Sequence, residues 1–293
     1  MAHKSGFVNI VGNPNVGKST FMNALLGEKL SIITSKAQTT RHRIFGIFND
    51  DEHQIVFSDT PGIIKPSYAL QENMMHFAHS TLKDADILIL MTTIKEKSLK
   101  DELFLDTISK MNVPLLVLIN KIDLSNQEEL ERAVAFWEEK FPNAEVYPIS
   151  ALEEFNTDMV LKRVKDLLDE GPAYFDKDAI TDKPERFFVS EIIREKVLLN
   201  YQKEIPYSVE VVVESFKEEE DIIRISAVLY VTRDSQKGII IGHKGKEIKR
   251  VGSQARRDIE RFLGKKVFLE TFVKVSKNWR ENEKQLKRFG YQQ

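Results

Sequence analysis

The residues with the most chemistry per position lie near the amino terminus: Gly12-Asn13-Pro14-Asn15-Val16-Gly17-Lys18-Ser19, followed by Thr20. The pattern G-x-x-x-x-G-K-[ST] suits a phosphate chain when it joins a strand to a helix. Its glycines let backbone N–H groups curl around a β-phosphate, and the helix amino terminus adds positive dipole. Lys18 reaches the β- and γ-oxygens, and Ser19 offers its hydroxyl to Mg²⁺. Alone, the octet also fits a glycine-rich turn capping a helix. Asp59-Thr60-Pro61-Gly62 favours the phosphate reading, because a carboxylate there can hold Mg²⁺ through water while Gly62 presents its N–H to a γ-phosphate. The plainer alternative is a Pro-Gly turn. Asn120-Lys121-Ile122-Asp123 then selects the base. The Asp123 carboxylate matches the ring N–H and exocyclic amine of guanine, and sites that read such groups discriminate by roughly 10⁴–10⁵. Ser150-Ala151-Leu152 is a weaker guanine-loop match. Together these residues predict a P-loop GTPase.

Two further features bear on turnover. The segment Gly27–Arg41 is long and ends in Thr39-Thr40-Arg41. A threonine there can place its hydroxyl on Mg²⁺ and its N–H on the γ-phosphate, so that the segment orders with GTP and relaxes with GDP. Thr40 is the choice over Thr39, and a polar strand start is the alternative for either. After Gly62 comes Ile63, where many small GTPases carry a water-positioning glutamine. An apolar side chain cannot polarise water, which predicts slow hydrolysis or help from a partner, the backbone or a cation.

These loops need a scaffold. Strand-like runs at Phe7–Val11, Arg43–Phe48, Gln54–Ser58, Ile87–Met91, Leu115–Asn120 and Val146–Ile149 alternate with helical stretches at Lys18–Leu26, Gln71–Lys83, Lys100–Met111, Gln127–Lys140 and Thr157–Leu168. That alternation predicts an α/β domain with a mixed, mostly parallel sheet, and Asn49–Glu52 predicts one hairpin. Gly, Pro and Asp between 171 and 184 break the apolar period. The boundaries follow: a GTPase domain at 1–172, a linker at 173–185 and a second domain at 186–293.

The second domain reads as helix (Phe187–Asn200), strand (Tyr207–Ser215), strand (Ile222–Thr232), a short apolar helical segment ending at Gly242, helix (Lys246–Leu263), strand (Lys266–Val275) and a polar helix (Asn278–Phe289). Gly242-His243-Lys244-Gly245 joins two of the helices, and Lys246, Lys249 and Arg250 follow it. A G-x-x-G loop between helices beside a small sheet is the arrangement of a KH domain, a smaller α+β fold whose loop clamps about four single-stranded nucleotides. A solvated basic helix after a tight turn is the alternative. A third reading lays the basic face on anionic lipid, with the last helix, which carries Trp279, Leu286 and Phe289 among its cations, serving that purpose or capping the domain.

Composition supports the division. The chain has 293 residues, 42% hydrophobic and 30% charged, which fits two globular domains and excludes a disordered or fibrous chain. With no cysteine, disulfides and thiolate metal sites are excluded. No apolar run approaches the roughly 18–20 residues of a membrane span, and the start of the chain shows no signal-peptide pattern. The net charge of −2 conceals an asymmetry: residues 186–293 carry 23 Lys/Arg against 16 Asp/Glu. Such an excess points to a polyanionic partner.

Over essentially its full length the chain resembles the Era family of bacterial GTPases, which are Era/TrmE-like P-loop GTPases with a carboxy-terminal type II KH domain. Gly12–Thr20, Ala37-Gln38-Thr39-Thr40-Arg41-His42-Arg43, Asp59–Gly62, Asn120–Asp123, Ser150–Leu152 and the loop in Gly238–Gly245 carry the likeness. The resemblance implies GTP hydrolysis with Mg²⁺ on Ser19, on Thr40 and, through water, on Asp59. It implies binding of the single-stranded 3′ region of 16S ribosomal RNA through residues 242–246, Lys249 and Arg250, in maturation of the small ribosomal subunit. It also implies a cytoplasmic, monomeric protein that associates peripherally with the inner membrane. Related GTPases hold K⁺ with the loop asparagine in place of an arginine finger, and Asn15 matches that position. Leu152 stands where lysine is common, a departure the resemblance tolerates if the backbone of Ser150 and Ala151 makes the contact.

Overall fold

The computed structural model describes residues 3–291. Apart from Tyr68–Leu70, residues up to Asp182 form one compact unit and those from Lys183 a second. In the first, β1 (Lys4–Gly12) is the most apolar run near the amino terminus, and Val8, Ile10 and Val11 are fully buried. A strand this buried must be flanked on both edges and covered on both faces. The chain supplies α1 (Lys18–Leu26), the hairpin β2 (Ile44–Asn49) and β3 (His53–Asp59), α2 (Ala69–Ser80), β4 (Ile87–Thr93), α3 (Glu102–Ser109), β5 (Leu115–Asn120), α4 (Gln127–Lys140), β6 (Glu145–Pro148) and α5 (Thr157–Leu167). The sheet order is β2-β3-β1-β4-β5-β6, with only β2 antiparallel to its neighbour. Helices connect out from β1 in both directions, so the crevice beyond the carboxyl ends of β1, β3 and β4 is a topological switch point where ligands settle.

The second unit comprises α6 (Glu185–Asn200), α7 (Ile205–Ser208), β7 (Glu210–Glu218), β8 (Ile222–Val231), α8 (Asp234–Ile241), α9 (Lys246–Leu263), β9 (Lys266–Val275) and α10 (Glu283–Arg288). Its sheet runs β7-β8-β9, antiparallel then parallel. Val189, Ile193 and Val197 of α6 and Val251, Ala255 and Ile259 of α9 share a core with the inward residues of β8.

Three expectations shift. The strand expected from Tyr207 starts at Glu210, because Pro206 and a Ser208 hydroxyl bonded to the Ile205 carbonyl (2.9 Å) make a helical turn first. The last helix splits into a 3₁₀ turn at Trp279–Glu281 and α10, since Asn282 leaves helical geometry to cap the Gln285 N–H (3.1 Å). The segment read as the linker lies against β2 as far as Asp182. Ile180 O accepts from Ile47 N–H (2.9 Å), Asp182 Oδ1 accepts from Phe45 N–H (3.1 Å), and the Thr181 hydroxyl donates to Phe45 O (2.7 Å). An edge strand left bare would invite pairing with another chain, and this strap satisfies it. Gln54, fully buried on β3, fixes the strap: its Oε1 accepts from the N–H groups of Tyr174 (2.6 Å) and Phe175 (2.9 Å), and its Nε2 donates to Phe175 O (2.8 Å).

Replacing Gln54 by leucine strands those three backbone groups, each worth about 1–3 kcal/mol when buried and unpaired. The expected result of Gln54→Leu is rapid hydrogen exchange at Tyr174 and Phe175 and early proteolytic cleavage between 173 and 182. Retained protection at both amides would rule this role out.

Candidate nucleotide site and basic loop

The loop after β1 needs backbone that only glycine accepts cheaply. Gly12 has φ +152° and Gly17 φ +106°. A Cβ on Gly12 would sit 2.2 Å from the Met91 carbonyl, and one on Gly17 would sit 2.2 Å from Asn120 Nδ2. The loop therefore packs tightly onto β4 and β5 and opens its other side to a cavity of about 380 Å³. Pro14, Asn15, Gly17, Lys18, Ser19 and Thr20 line one wall, Thr40, Thr60 and Gly62 another, and Asn120, Lys121, Asp123, Ser150 and Leu152 the far end. Motifs far apart in the chain thus meet in one cleft.

Lys18 Nζ is buried and donates to the carbonyls of Gly12 (3.1 Å) and Asn13 (2.9 Å). Burial pulls its pKa down to about 8, against the charges of Asp59 and Glu96. The Asn13 side chain does not face the cavity. Its amide donates to Glu96 Oε1 (3.1 Å) and Ser98 O (3.0 Å) and its oxygen accepts from Lys100 N–H (3.0 Å), so it anchors the loop to the β4–α3 connection.

Ser19 Oγ donates to Asp59 Oδ2 (2.6 Å), and Thr40 Oγ1 lies 3.0 Å from Ser19 Oγ and 3.3 Å from the same carboxylate oxygen. Burial raises the Asp59 pKa, opposed by the Ser19 hydroxyl, the Lys18 charge and the hydroxyls of Ser31 and Thr40. The other oxygen, Oδ1, is buried without a well-formed hydrogen bond. Two hydroxyls and one carboxylate, whose second oxygen is buried and unsatisfied, form a hard-oxygen set of the kind that would suit Mg²⁺. Among the described residues no cluster of three His, Asp or Glu side chains offers another metal site. Thr39 takes no part: its hydroxyl donates to Lys36 O (2.6 Å) and meets Thr34 Oγ1 (2.7 Å).

Gly62 approaches the phosphate loop so closely that a Cβ would lie 2.7 Å from Pro14 N. Ile63, by contrast, is placed outside the cavity. Its side chain is fully buried and its N–H donates to Gly12 O (3.0 Å), so it packs the core and offers a nucleotide nothing. Pro61 and Val16 are likewise buried outside the lining.

At the base end, Asn120 Nδ2 donates to Val16 O (2.7 Å), and its Oδ1 accepts from Ala151 N–H (2.9 Å). The Ser150 N–H donates to Phe155 O (3.2 Å). Both N–H groups expected to face guanine are therefore committed within the protein, and Asp123 lines the cavity with its Oδ1 accepting from Ser150 Oγ (2.6 Å). Leu124 and Leu152, about three-quarters exposed, and Ile33 give the same end apolar walls. The sequence reading missed Leu124 and Ile33. Apolar residues in otherwise polar loops were the available signal.

In the second unit, Gly242 (φ +68°) and Gly245 (φ +76°) bracket a turn in which Lys244 is also left-handed (φ +49°). A Cβ on Gly242 would meet Glu247 Cγ at 2.5 Å. His243, Lys244, Lys246 and Lys249 project into solvent, whereas Arg250 pairs with Glu247 (2.5 Å) and is partly neutralised. Trp279 and Leu286 are fully buried, with the Trp279 N–H donating to Ser208 O (3.0 Å) and its ring against Phe289. The apolar side chains a lipid surface would take are thus inside, and the last helix caps the domain. Among the described residues no helix is long and apolar enough to cross a membrane.

Known proteins share this arrangement. A family model described as a 50S ribosome-binding GTPase matches residues 7–121, and a KH domain model matches residues 204–280. A crystal structure of Era in complex with MgGDPNP and nucleotides 1506–1542 of 16S ribosomal RNA is 38% identical, with a TM-score of 0.94 over 99% of each chain. A point variant of Aquifex aeolicus Era bound to GDP·AlF₄⁻ is 39% identical, with a TM-score of 0.94 over 98% of this chain and 99% of that one.

The Lys18 environment carries a pH dependence. In the free folded protein the ammonium gives up its proton above about pH 8, while the usual value is 10.5. A triphosphate needs the cation, so GTP affinity falls as pH rises through 8 and binding there takes up a proton. The free protein itself loses stability through this group as pH falls from the usual value toward the lowered one, because over that range the unfolded chain holds more protons. Calorimetry in two buffers of different ionisation enthalpy reads the uptake, and equal affinity on both sides of the lowered value without it would refute the shift.

Proposed function

The chain belongs to the Era family of GTPases, and from that premise we propose a Mg²⁺-dependent switch whose nucleotide state controls how its basic domain grips the single-stranded 3′ region of 16S ribosomal RNA during assembly of the small subunit. The observation that carries the nucleotide half is the convergence of Ser19, Thr40 and Asp59 within 3.3 Å of one another beside the buried Lys18. GTP lies along the cleft with its phosphates on residues 12–20 and its guanine between Lys121, Leu124 and Leu152, read by Asp123. Ser19, Thr40 and, through water, Asp59 would hold Mg²⁺, which would supply positive charge to the β- and γ-phosphates. Lys18 holds the same oxygens, and the Gly62 N–H orients the γ-phosphate.

The RNA half rests on the glycine-bracketed turn with its exposed cations and on the relative bound to 16S nucleotides. The model whose description names the 50S subunit ends at residue 121, before the basic unit begins, so it does not bear on which RNA that unit grips. Chain continuity supplies a route between the halves: Gly27–Arg41 leads into β2, and the strap on β2 leads into the second unit. A cytoplasmic place at the ribosome precursor follows from this partner. Association with the membrane draws no support from the last helix.

Gly242→Asp with Gly245→Asp puts two charges and two strained residues into the turn. Binding of a 16S 3′-end oligonucleotide should be lost while GTP affinity stays, and for the wild type the RNA affinity should fall steeply with salt. Surviving RNA binding would remove the turn from the interface.

Potassium has a specific foothold. Asn15 is held in left-handed backbone (φ +65°), its carbonyl accepts from Lys121 Nζ (2.7 Å), and its amide reaches Ser35 O (2.9 Å). A monovalent cation held by Asn15 would supply the positive charge that Ile63 cannot. Single-turnover hydrolysis should then be at least tenfold faster in K⁺ than in Na⁺, and Asn15→Ala should erase the difference. Equal rates in the two salts would eliminate the cation.

A further inference from the structure

Ile63 leaves hydrolysis without a side chain to hold the nucleophile. A replacement lies in the segment opposite. We propose that the Gln38 carboxamide positions the attacking water in GTP hydrolysis.

Four observations place it. Thr40 already sits in the Mg²⁺ set, so the segment bearing Gln38, two residues earlier, is in its closed arrangement. In that arrangement Gln38 lines the nucleotide cavity together with Pro14, Thr40 and Gly62, which is the γ-phosphate end. It also lines an adjoining cavity of about 450 Å³ with Pro14, Ala37, Ile64 and Lys65, so it stands between the two cavities. Finally, its backbone is left-handed (φ +58°), a conformation that costs a non-glycine residue of order 1 kcal/mol and that clusters at functional sites.

The turn that presents it is built for rigidity. Thr34 Oγ1 meets Thr39 Oγ1 (2.7 Å) and accepts from Lys36 N–H (3.1 Å), and Thr39 Oγ1 donates to Lys36 O (2.6 Å). These bonds close a hydroxyl-stapled loop with Gln38 on it. Lys65 and Lys100 line the adjoining cavity and not the nucleotide cavity.

In the step, Gln38 Oε1 accepts a hydrogen bond from the water. The water oxygen forms a bond to the γ-phosphorus while the bond from that phosphorus to the β–γ bridging oxygen breaks, leaving the electron pair on GDP. The water proton passes to a γ-phosphate oxygen and the carboxamide is unchanged. Loss of such positioning costs about 10²-fold.

The inference rests on the GTPase reading of the cavity, so nucleotide binding and hydrolysis are measured separately. Gln38→Ala and Gln38→Gly should each lower the single-turnover rate in K⁺ and Mg²⁺ by about 10²-fold. GDPNP affinity should stay within twofold, and the complex with GDP and aluminium fluoride should no longer form. Glycine relieves the backbone strain at φ +58°, so a purely structural role predicts an active Gln38→Gly. A Gln38→Gly rate within threefold of wild type overturns the proposal, as does a loss of GDPNP affinity matching the loss in rate. Failure of the wild type to bind GDPNP would instead sink the cavity assignment itself.

Discussion

The nucleotide cleft hangs on one buried carboxamide. Asn120 ends β5, donates to the carbonyl of Val16 in the phosphate loop, and accepts from the N–H of Ala151 after β6. That one side chain ties both loops to the end of the strand. The contact also explains Gly17, since a side chain there would occupy the space of the amide. A phosphate grip and a base grip are useful only at a fixed separation, and a paired buried amide is costly to disturb because both partners would be left unsatisfied.

What could be read from the sequence divides along the same line. Gly12–Ser19, Asp59–Gly62 and Asn120–Asp123 were legible because each is contiguous and its residue types are dictated by the ligand. The strands and helices carrying them were legible from their apolar periods, several to the residue. Relations between distant residues were not. Nothing local to Gln54 announces that its buried amide clamps Tyr174 and Phe175, so the segment read as linker became a strap. Nothing local to Ile63 shows that its N–H is taken by Gly12 O. Likewise Ser150 and Ala151 were assigned to the base for their type, while the structure uses their N–H groups to hold the loop itself.

The second unit shows the converse. Its charge excess was evident, but charge count alone does not make an RNA face. Arg250 is spent on Glu247, and Lys196 lies between Glu195 and Asp258. The glycine turn lifts His243 and Lys244 out of the helix surface, and Lys246 and Lys249 stand exposed on the first turns of α9. Backbone shape, more than composition, decides which side chains the turn presents.

The same logic governs the catalytic end. Lys18 and Asp59 are both buried, and burial drives each toward its neutral form. Their mutual attraction offsets part of that cost, yet Asp59 Oδ1 still lacks a well-formed bond and Lys18 spends its protons on two loop carbonyls. The free site is therefore held short of electrostatic satisfaction. A phosphate chain with its metal would remove both deficits together and so concentrate binding energy at the phosphates. Thr40 joins the site through the Ser19 hydroxyl and the Asp59 carboxylate, and the segment Gly27–Arg41 is held besides by Asn23 on Leu30 and Ser31 and by the Asn15 amide on Ser35 O. The protein's own hydrogen bonds therefore already set this segment against the phosphate loop, and a bound phosphate chain would add to that hold and not create it.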